Sequence, residues 1–369
     1  MNGFSAADHR HMARALRLAA RGLYTARPNP MVGCVIVRGG TVIGEGWHRR
    51  AGEGHAEAEA LRAAGDARGA TVYVTLEPCA HHGRTPPCAD ALVAAGVAEV
   101  VYAMQDPNEL VDGRGHARLR EAGVRVRSGL MADAAAELNR GFVARLRRGR
   151  PFATLKVAAS LDGATAMLGG ESQWITGPAA RADVQRLRAR AGAVLTGIGT
   201  VLADDPSLTV RDPGLPPDVG QPLRAIVDSG LRMPLSAGML CLPGRTVVYC
   251  TDDAEREPLV AAGAEVVAVP PVPGRADGRV DLAAVLADLA GRGINEVLVE
   301  GGPTLAGALL EACLVDELVL YQAPHVMGSE TLRMVTTPGM TELARRRSVT
   351  VTDRRQVGAD TRITARFAD

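Results

Sequence analysis

Two short stretches decide the reading of this chain: His55-Ala56-Glu57, and Glu77-Pro78-Cys79-Ala80-His81-His82-Gly83-Arg84-Thr85-Pro86-Pro87-Cys88. One imidazole and two thiolates form a ligand set for a zinc ion that keeps a fourth position open for water. His55, Cys79 and Cys88 are the nominated ligands. Glu57, two residues after the histidine, can take a proton from water beside the metal and return it to a departing amine. A closed structural zinc site, with His81 or His82 as fourth ligand, is the alternative. The Glu57 carboxyl beside His55, and the Pro-Cys step just past a strand, suit an open catalytic site better. Arg84 in the same loop is a candidate contact for a substrate anion.

Nucleobase deaminases carry His-x-Glu followed by Pro-Cys-x-x-Cys. Here eight residues, rather than two, separate Cys79 from Cys88. That spacing calls for a loop that returns the second thiolate to the metal, not a tight knuckle. With the run His-His-Gly-Arg-Thr-Pro-Pro before Cys88, the segment resembles the deaminase half of the bifunctional riboflavin-biosynthesis deaminase/reductases.

At 369 residues the chain is long enough for two domains, each with its own core. Hydrophobic residues make up 47% and charged residues 22%, an ordinary globular balance, and the net charge is +1. So small a charge recruits no nucleic acid by a broad field, which weighs against a polynucleotide-editing enzyme. No apolar run is long enough to span a membrane. Thiolate ligands point to a reducing compartment and hence a cytoplasmic location. Cys34, Cys241, Cys250 and Cys313 lie in apolar sequence and are expected to be buried small hydrophobes.

Ser5 and Asp8 have capping-box spacing, and Met12, Ala15, Leu16 and Ala19 recur at helical spacing, so the chain opens on a helix. Met31 to Val37, Thr41 to Trp47, Thr71 to Leu76, Val97 to Ala103 and Val124 to Arg127 read as strands. Helices are expected from near His55, from about Thr85 to Ala95, and from Ala132 to Arg147. This alternation makes one α/β layer domain. Asn29 and His48 stand at element ends that can face the zinc pocket and are candidate substrate contacts.

The run Arg145-Leu146-Arg147-Arg148-Gly149-Arg150-Pro151 reads as a boundary, placing the domains at 1–148 and 149–369. A second alternation follows, with strands at Phe152 to Ala159, Ala193 to Thr196, Leu223 to Val227, Thr246 to Cys250, Val266 to Val269, Glu296 to Glu300 and Glu317 to Tyr321. A helix is expected from Pro178 to Arg190. Lys156 is the single lysine among 42 Lys and Arg residues and sits on a predicted strand; its compact ammonium can point at a substrate hydroxyl or carbonyl. Glu300-Gly301-Gly302-Pro303 is a turn from strand to helix whose amides can hold a phosphate. It is not the Rossmann fingerprint, and by itself it is a weak dinucleotide signal.

Thr154-Leu155-Lys156, Ala158 to Gly163, Glu171 to Thr176, Thr200 to Pro206 and Glu300-Gly301-Gly302 resemble the reductase half of the same family. The tail after Pro324 departs from it at Val326 to Ser329. The resemblance implies an N-terminal cytidine-deaminase-like α/β/α domain with one zinc ion and a C-terminal dihydrofolate-reductase-like α/β domain using NADPH. It further implies that Ser172, Arg188, Leu208 and Arg211 line the substrate's ribose phosphate pocket and that Lys156 and Glu300 hold its sugar hydroxyls. Ala159, Trp174, Thr200, Asp204, Ser229 and the turn Gly301, Gly302, Pro303, Thr304 and Leu305 would meet NADPH. For Trp174 and Leu208, plain core packing explains the residue nearly as well.

The expected function is therefore zinc-dependent hydrolytic deamination of a diaminopyrimidinone ribosylamine phosphate, followed by NADPH-dependent reduction of ribosyl to ribityl. The resemblance implies a homo-oligomer, dimer or tetramer, acting on a small molecule. Two rivals stand beside it. One is a zinc deaminase of another nucleoside or RNA base with a non-reductase accessory domain, and the other is a non-catalytic zinc-stabilised binding protein.

Overall fold

The first helix, α1 (Ala6–Ala19), is started by its cap. The Ser5 hydroxyl accepts from the Asp8 amide at 3.1 Å, and Asp8 Oδ2 accepts from the Ser5 amide at 2.8 Å, so the shorter acid closes the capping box. Met12, Ala15, Leu18 and Ala19 turn inward. The computed structural model describes residues 3–80, 87–108, 113–274 and 277–368. The chain divides into two compact units, Met1–Arg148 and Gly149–Asp369.

In the first unit α1 is followed by β1 (Gly33–Arg38), β2 (Thr41–Trp47), α2 (Ala56–Ala64), β3 (Thr71–Leu76), α3 (Cys88–Ala94), β4 (Glu99–Met104), α4 (Arg114–Glu121), β5 (Arg125–Ser128), α5 (Ala132–Leu138) and α6 (Arg140–Arg148). The strands form one sheet in the order β2-β1-β3-β4-β5. β1 runs antiparallel to both neighbours, and β3, β4 and β5 are parallel. Tyr73, whose hydroxyl donates to Asp8 of α1 at 2.6 Å, lies opposite Val35, whereas Gly44 and Gly46 lie opposite Ile36 and Cys34. Successive residues of a strand face opposite sides, so α1 and α2 cover opposite faces of the sheet.

The glycines of β2 set how closely α2 can lie. A methyl group at Gly44 would meet the Ala60 carbonyl oxygen at 2.3 Å, and one at Gly46 the Ala56 oxygen at 2.3 Å. One expectation needs correction. The helix expected from Ala132 to Arg147 is broken at Asn139, where the backbone leaves helical geometry at φ −103° and ψ 24°. The side chain there turns away to pair with the backbone of Met31. α4 was not expected, because its polar sequence has little apolar periodicity to reveal it.

The second unit contains β6 (Phe152–Ala159), β7 (Ala164–Met167), α7 (Pro178–Arg190), β8 (Ala193–Gly197), α8 (Ile198–Asp204), β9 (Leu223–Val227), β10 (Thr246–Cys250), α9 (Glu257–Ala261), β11 (Glu265–Ala268), α10 (Leu282–Gly291), β12 (Glu296–Val299), α11 (Pro303–Glu311), β13 (Glu317–Gln322), β14 (Thr331–Arg333), β15 (Val349–Val357) and β16 (Asp360–Phe367). Nine strands line up as β11-β10-β9-β8-β12-β6-β13-β16-β15. β11 through β13 are parallel, and β16 and β15 add antiparallel at one end. Leu155, Leu195, Val247, Val285 and Val299 anchor one hydrophobic cluster, and Val194, Ile226, Met239 and Val248 anchor another.

The tail, which carries no clear sequence signal, supplies β16 by pairing with β13 from Glu317 to Gln322. Cys34 and Cys250 are buried as expected, but Cys241 and Cys313 are exposed. Each stands at a turn, Cys241 closing a short 3₁₀ segment and Cys313 in the left-handed region at φ 55°, so apolar neighbours in sequence do not enclose them. Among the described residues no helix is long and apolar enough to cross a membrane. Gly46→Ala is expected to destabilise the first unit by about 1–3 kcal/mol through overpacking. A lower urea midpoint would register this, with Gly3→Ala, whose new methyl meets nothing within 4 Å, as the control that stays unshifted.

Candidate active sites

His55 occupies the N-cap position of α2 without making a side-chain capping bond, which leaves its ring free. Cys88 is the first residue of α3, and Cys79 lies just past the end of β3. His55 Nδ1 stands 3.2 Å from Cys88 Sγ and 3.6 Å from Cys79 Sγ, while the Cys88 amide donates to Cys79 Sγ at 3.3 Å. The three ligand atoms all lie within 4.8 Å of one another. Zinc bonds of about 2.0–2.3 Å at tetrahedral angles separate a nitrogen and a sulfur ligand by roughly 3.6 Å, so this donor set fits the ion. The fourth-ligand candidates His81 and His82, and Arg84, lie outside the described residues.

The Cys88 thiol and amide hydrogen bonds hold the Cys79 thiol well below its usual range, and as the donor of that pair Cys88 is pushed up. The hydrogen bond to Cys79 raises His55. Glu57, in the first turn of α2, is 4% exposed, and its carboxyl is pushed up to about 7 by burial and then by the charge of Cys79. A cation on the three ligands would favour the ionised form again.

His48 is 3% exposed, and its ring lies edge-on to that of His55 with centroids 5.8 Å apart. Burial holds it below the usual imidazole range. Asn29 Nδ2 lies 3.0 Å from His48 Nε2, so the two residues read as pocket-facing from sequence do meet. Glu77, quoted in the motif without a role, has one as a clamp. Its buried carboxylate accepts the backbone amides of Gly113 at 3.0 Å, His116 at 3.1 Å and Asp106 at 3.4 Å, which ties the start of α4 to the Pro78-Cys79 corner. Nothing local in the sequence signals this, because the partners arrive from 29 to 39 residues away.

In the second unit, Glu300 follows β12 and meets two cations. Arg188 of α7 donates from Nε and Nη2 to its two oxygens at 2.6 and 3.0 Å, and Lys156 Nζ of β6 lies 3.5 Å from Oε2. Burial opposes ionisation of Glu300, but Arg188 and then Lys156 outweigh it and hold the carboxyl well below its usual range. The third guanidinium nitrogen of Arg188 donates to the Thr209 carbonyl at 3.1 Å. Arg188 is thus engaged within the protein on all three nitrogens. Ser172 Oγ donates to Asp204 Oδ1 at 3.2 Å, and the Arg211 amide donates to Gln185.

Gly302 is the N-cap of α11, with no side-chain capping bond, and Pro303 opens the helix. A methyl group at Gly302 would meet only the Thr200 hydroxyl, at 3.8 Å. Uncapped amides beside open space and a hydroxyl fit the phosphates of a dinucleotide. Thr304 is exposed, whereas Leu305 turns into the core and packs under Gly301. Ala159 is buried at the end of β6, and the Ser229 hydroxyl accepts from the Val280 amide at 3.1 Å. Trp174 is 68% exposed with the Arg181 guanidinium 4.5 Å from its ring centroid, so it is not a core residue. Leu208 is one: the residue is 2% exposed, in a cluster with Val194, Ile198 and Val201.

Residues 5–104 match the family described as the cytidine and deoxycytidylate deaminase zinc-binding region, and residues 151–361 match the RibD C-terminal domain. The chain is 51% identical over 363 residues to the riboflavin biosynthesis protein RibD of Escherichia coli (strain K12), covering 96% of this chain and 97% of the relative. It superposes on the solved structure of Acinetobacter baumannii RibD with a TM-score of 0.91 at 44% identity, covering 98% and 99% of the two chains. A Thermotoga maritima structure, described as a diaminohydroxyphosphoribosylaminopyrimidine deaminase/5-amino-6-(5-phosphoribosylamino)uracil reductase, aligns with a TM-score of 0.85 at 31% identity over 98% and 99%. A match through the second half removes the rival of a non-reductase accessory domain. With both halves matched and the relatives covered almost end to end, the chain belongs to the RibD family of bifunctional riboflavin-biosynthesis enzymes, a zinc-binding deaminase domain joined to a reductase domain.

Proposed function

We propose that the first unit, residues 1–148, deaminates 2,5-diamino-6-ribosylamino-4(3H)-pyrimidinone 5′-phosphate, and that the second, residues 149–369, reduces the ribosyl group of the product to ribityl with NADPH. The observation that carries the first half is the convergence of His55 Nδ1, Cys79 Sγ and Cys88 Sγ within 4.8 Å beside the buried Glu57 carboxyl. A zinc ion on those ligands, one per chain, would acidify water and supply the nucleophile at neutral pH. Glu57 takes a proton from the attacking water as its oxygen adds to the amino-bearing ring carbon. It then delivers the proton to the nitrogen as the carbon–nitrogen bond breaks and ammonia leaves. Asn29 and His48 orient the pyrimidine, and Arg84 is assigned to the substrate's anionic end.

In the second unit Lys156 and Glu300 hold the sugar hydroxyls. Arg188 fixes the Glu300 carboxylate and leaves the pair of cations with a net positive charge toward the substrate phosphate. Ser172, Arg211 and Leu208 complete that side. NADPH would supply the reducing equivalent, held by Ala159, Trp174, Thr200, Asp204, Ser229 and the turn Gly301, Gly302, Pro303, Thr304 and Leu305. Thiolate ligands suit a reducing setting such as the cytoplasm, and a homo-oligomer belongs to the same proposal.

Glu57→Gln is expected to lower ammonia release by about 10²–10⁴-fold. NADPH oxidation should persist when the deaminated intermediate is supplied, and loss of both activities would argue against separable sites. Stripping the metal with a chelator should abolish deamination, spare reduction, and be reversed by added zinc. Glu300→Gln leaves Arg188 buried opposite a neutral amide. That should cost roughly 3–5 kcal/mol of second-unit stability and stop NADPH oxidation. Lys156→Met, at a partly exposed position, should stop oxidation with little change in the unfolding midpoint.

A further inference from the structure

We infer that Asn139 is a positioning residue for the deaminase site, holding in place the loop that carries Asn29. The inference rests on the reading of Asn29 as a substrate contact. Asn139 is 2% exposed and interrupts what would otherwise be one helix from α5 through α6. Its side-chain amide pairs with the backbone of Met31, 108 residues away, in both directions: Oδ1 accepts the Met31 amide at 2.7 Å and Nδ2 donates to the Met31 carbonyl at 2.9 Å. The side chain stands in for a neighbouring strand at a place where β1 has not yet begun. A carboxamide presents a donor and an acceptor in one plane, which neither a carboxylate nor an apolar side chain can reproduce.

The hold on Met31 extends to the site. Pro28 and Pro30 flank Asn29 and restrict the backbone on both sides, so fixing Met31 fixes Asn29 two residues upstream. His48 Nδ1 lies 3.1 Å from the Gly54 carbonyl, which assigns the proton to Nδ1 and makes Nε2 an acceptor. Asn29 must then donate its Nδ2–H to His48 Nε2. This fixes the flip of the Asn29 amide and leaves its Oδ1 as an acceptor with no donor among the described residues. The amide stands one imidazole away from His55, since the His48 and His55 rings are in edge contact. Asn139 therefore touches neither metal ligand nor proton carrier and acts through Met31 and Asn29.

The test compares the full-length, zinc-loaded enzyme with N139D, which keeps the shape and loses the donor, with N139S, which removes the pairing without adding charge, and with N29A and the double variant N29A/N139S. N139D and N139S are expected to lower deaminase kcat/KM by about 10–100-fold. Zinc content and reductase turnover should not change, and N29A/N139S should be no worse than N29A. Normal kcat/KM in both Asn139 variants, or additive losses in the double variant, would overturn the inference. Loss of zinc or of folded protein in both variants would assign Asn139 to the fold and overturn it equally. A silent N29A would instead remove the substrate-contact reading of Asn29.

Discussion

A methyl group on either inward glycine of β2 would stand 2.3 Å from a carbonyl oxygen of α2, and this close approach is what the deaminase half is built on. α2 bears on the edge strand with backbone nearly touching backbone. That brings its first turn, with His55 at the cap and Glu57 just inside, down onto the sheet. The same face receives Cys34, and Glu57 is buried beside the Cys79 and Cys88 thiols. Enclosure is what lifts its proton affinity toward neutrality, where a group can both accept and return a proton.

The ligand cluster follows from where helices start. His55 and Cys88 each stand at a helix N-terminus, and Cys79 sits at the end of β3 between them. Thiolates there face the positive ends of backbone dipoles, which favours the deprotonated form a metal needs. Glu77 gives this corner rigidity by gathering three backbone amides onto one buried carboxylate, and Asn139 does the like for the segment before β1 by pairing with Met31. Both residues work through main-chain groups, so the site is held by backbone rather than by flexible side chains.

The second unit solves a different problem, since it keeps the buried Glu300 carboxylate ionised. Arg188 bonds Glu300 through two nitrogens while Lys156 stays at the edge, so the carboxylate is charged, fixed and next to one freer cation. A buried charge with its counterions already in place is fixed in position before any ligand arrives. The pattern of strands that positions the three was legible, because a buried parallel strand is a short run of β-branched residues. Their mutual contact was not legible, because they come from β6, α7 and the end of β12.

Within the chain, local chemistry determined a good deal by itself. The capping of α1, the limits of β2, β3, β6, β9 and β10, the boundary near Gly149 and the choice of His55, Cys79 and Cys88 as residues that converge all follow from periodicity, turn residues and side-chain chemistry over a few residues. Tertiary structure alone decided that one expected helix breaks at Asn139, that the weakly patterned tail completes the large sheet, that Leu208 is core and Trp174 is surface, and that Cys241 and Cys313 are exposed. In each of these the deciding partner lies far away along the chain or is the solvent itself. No window of neighbouring residues encodes how much of a side chain will be covered, or which distant amide will meet it.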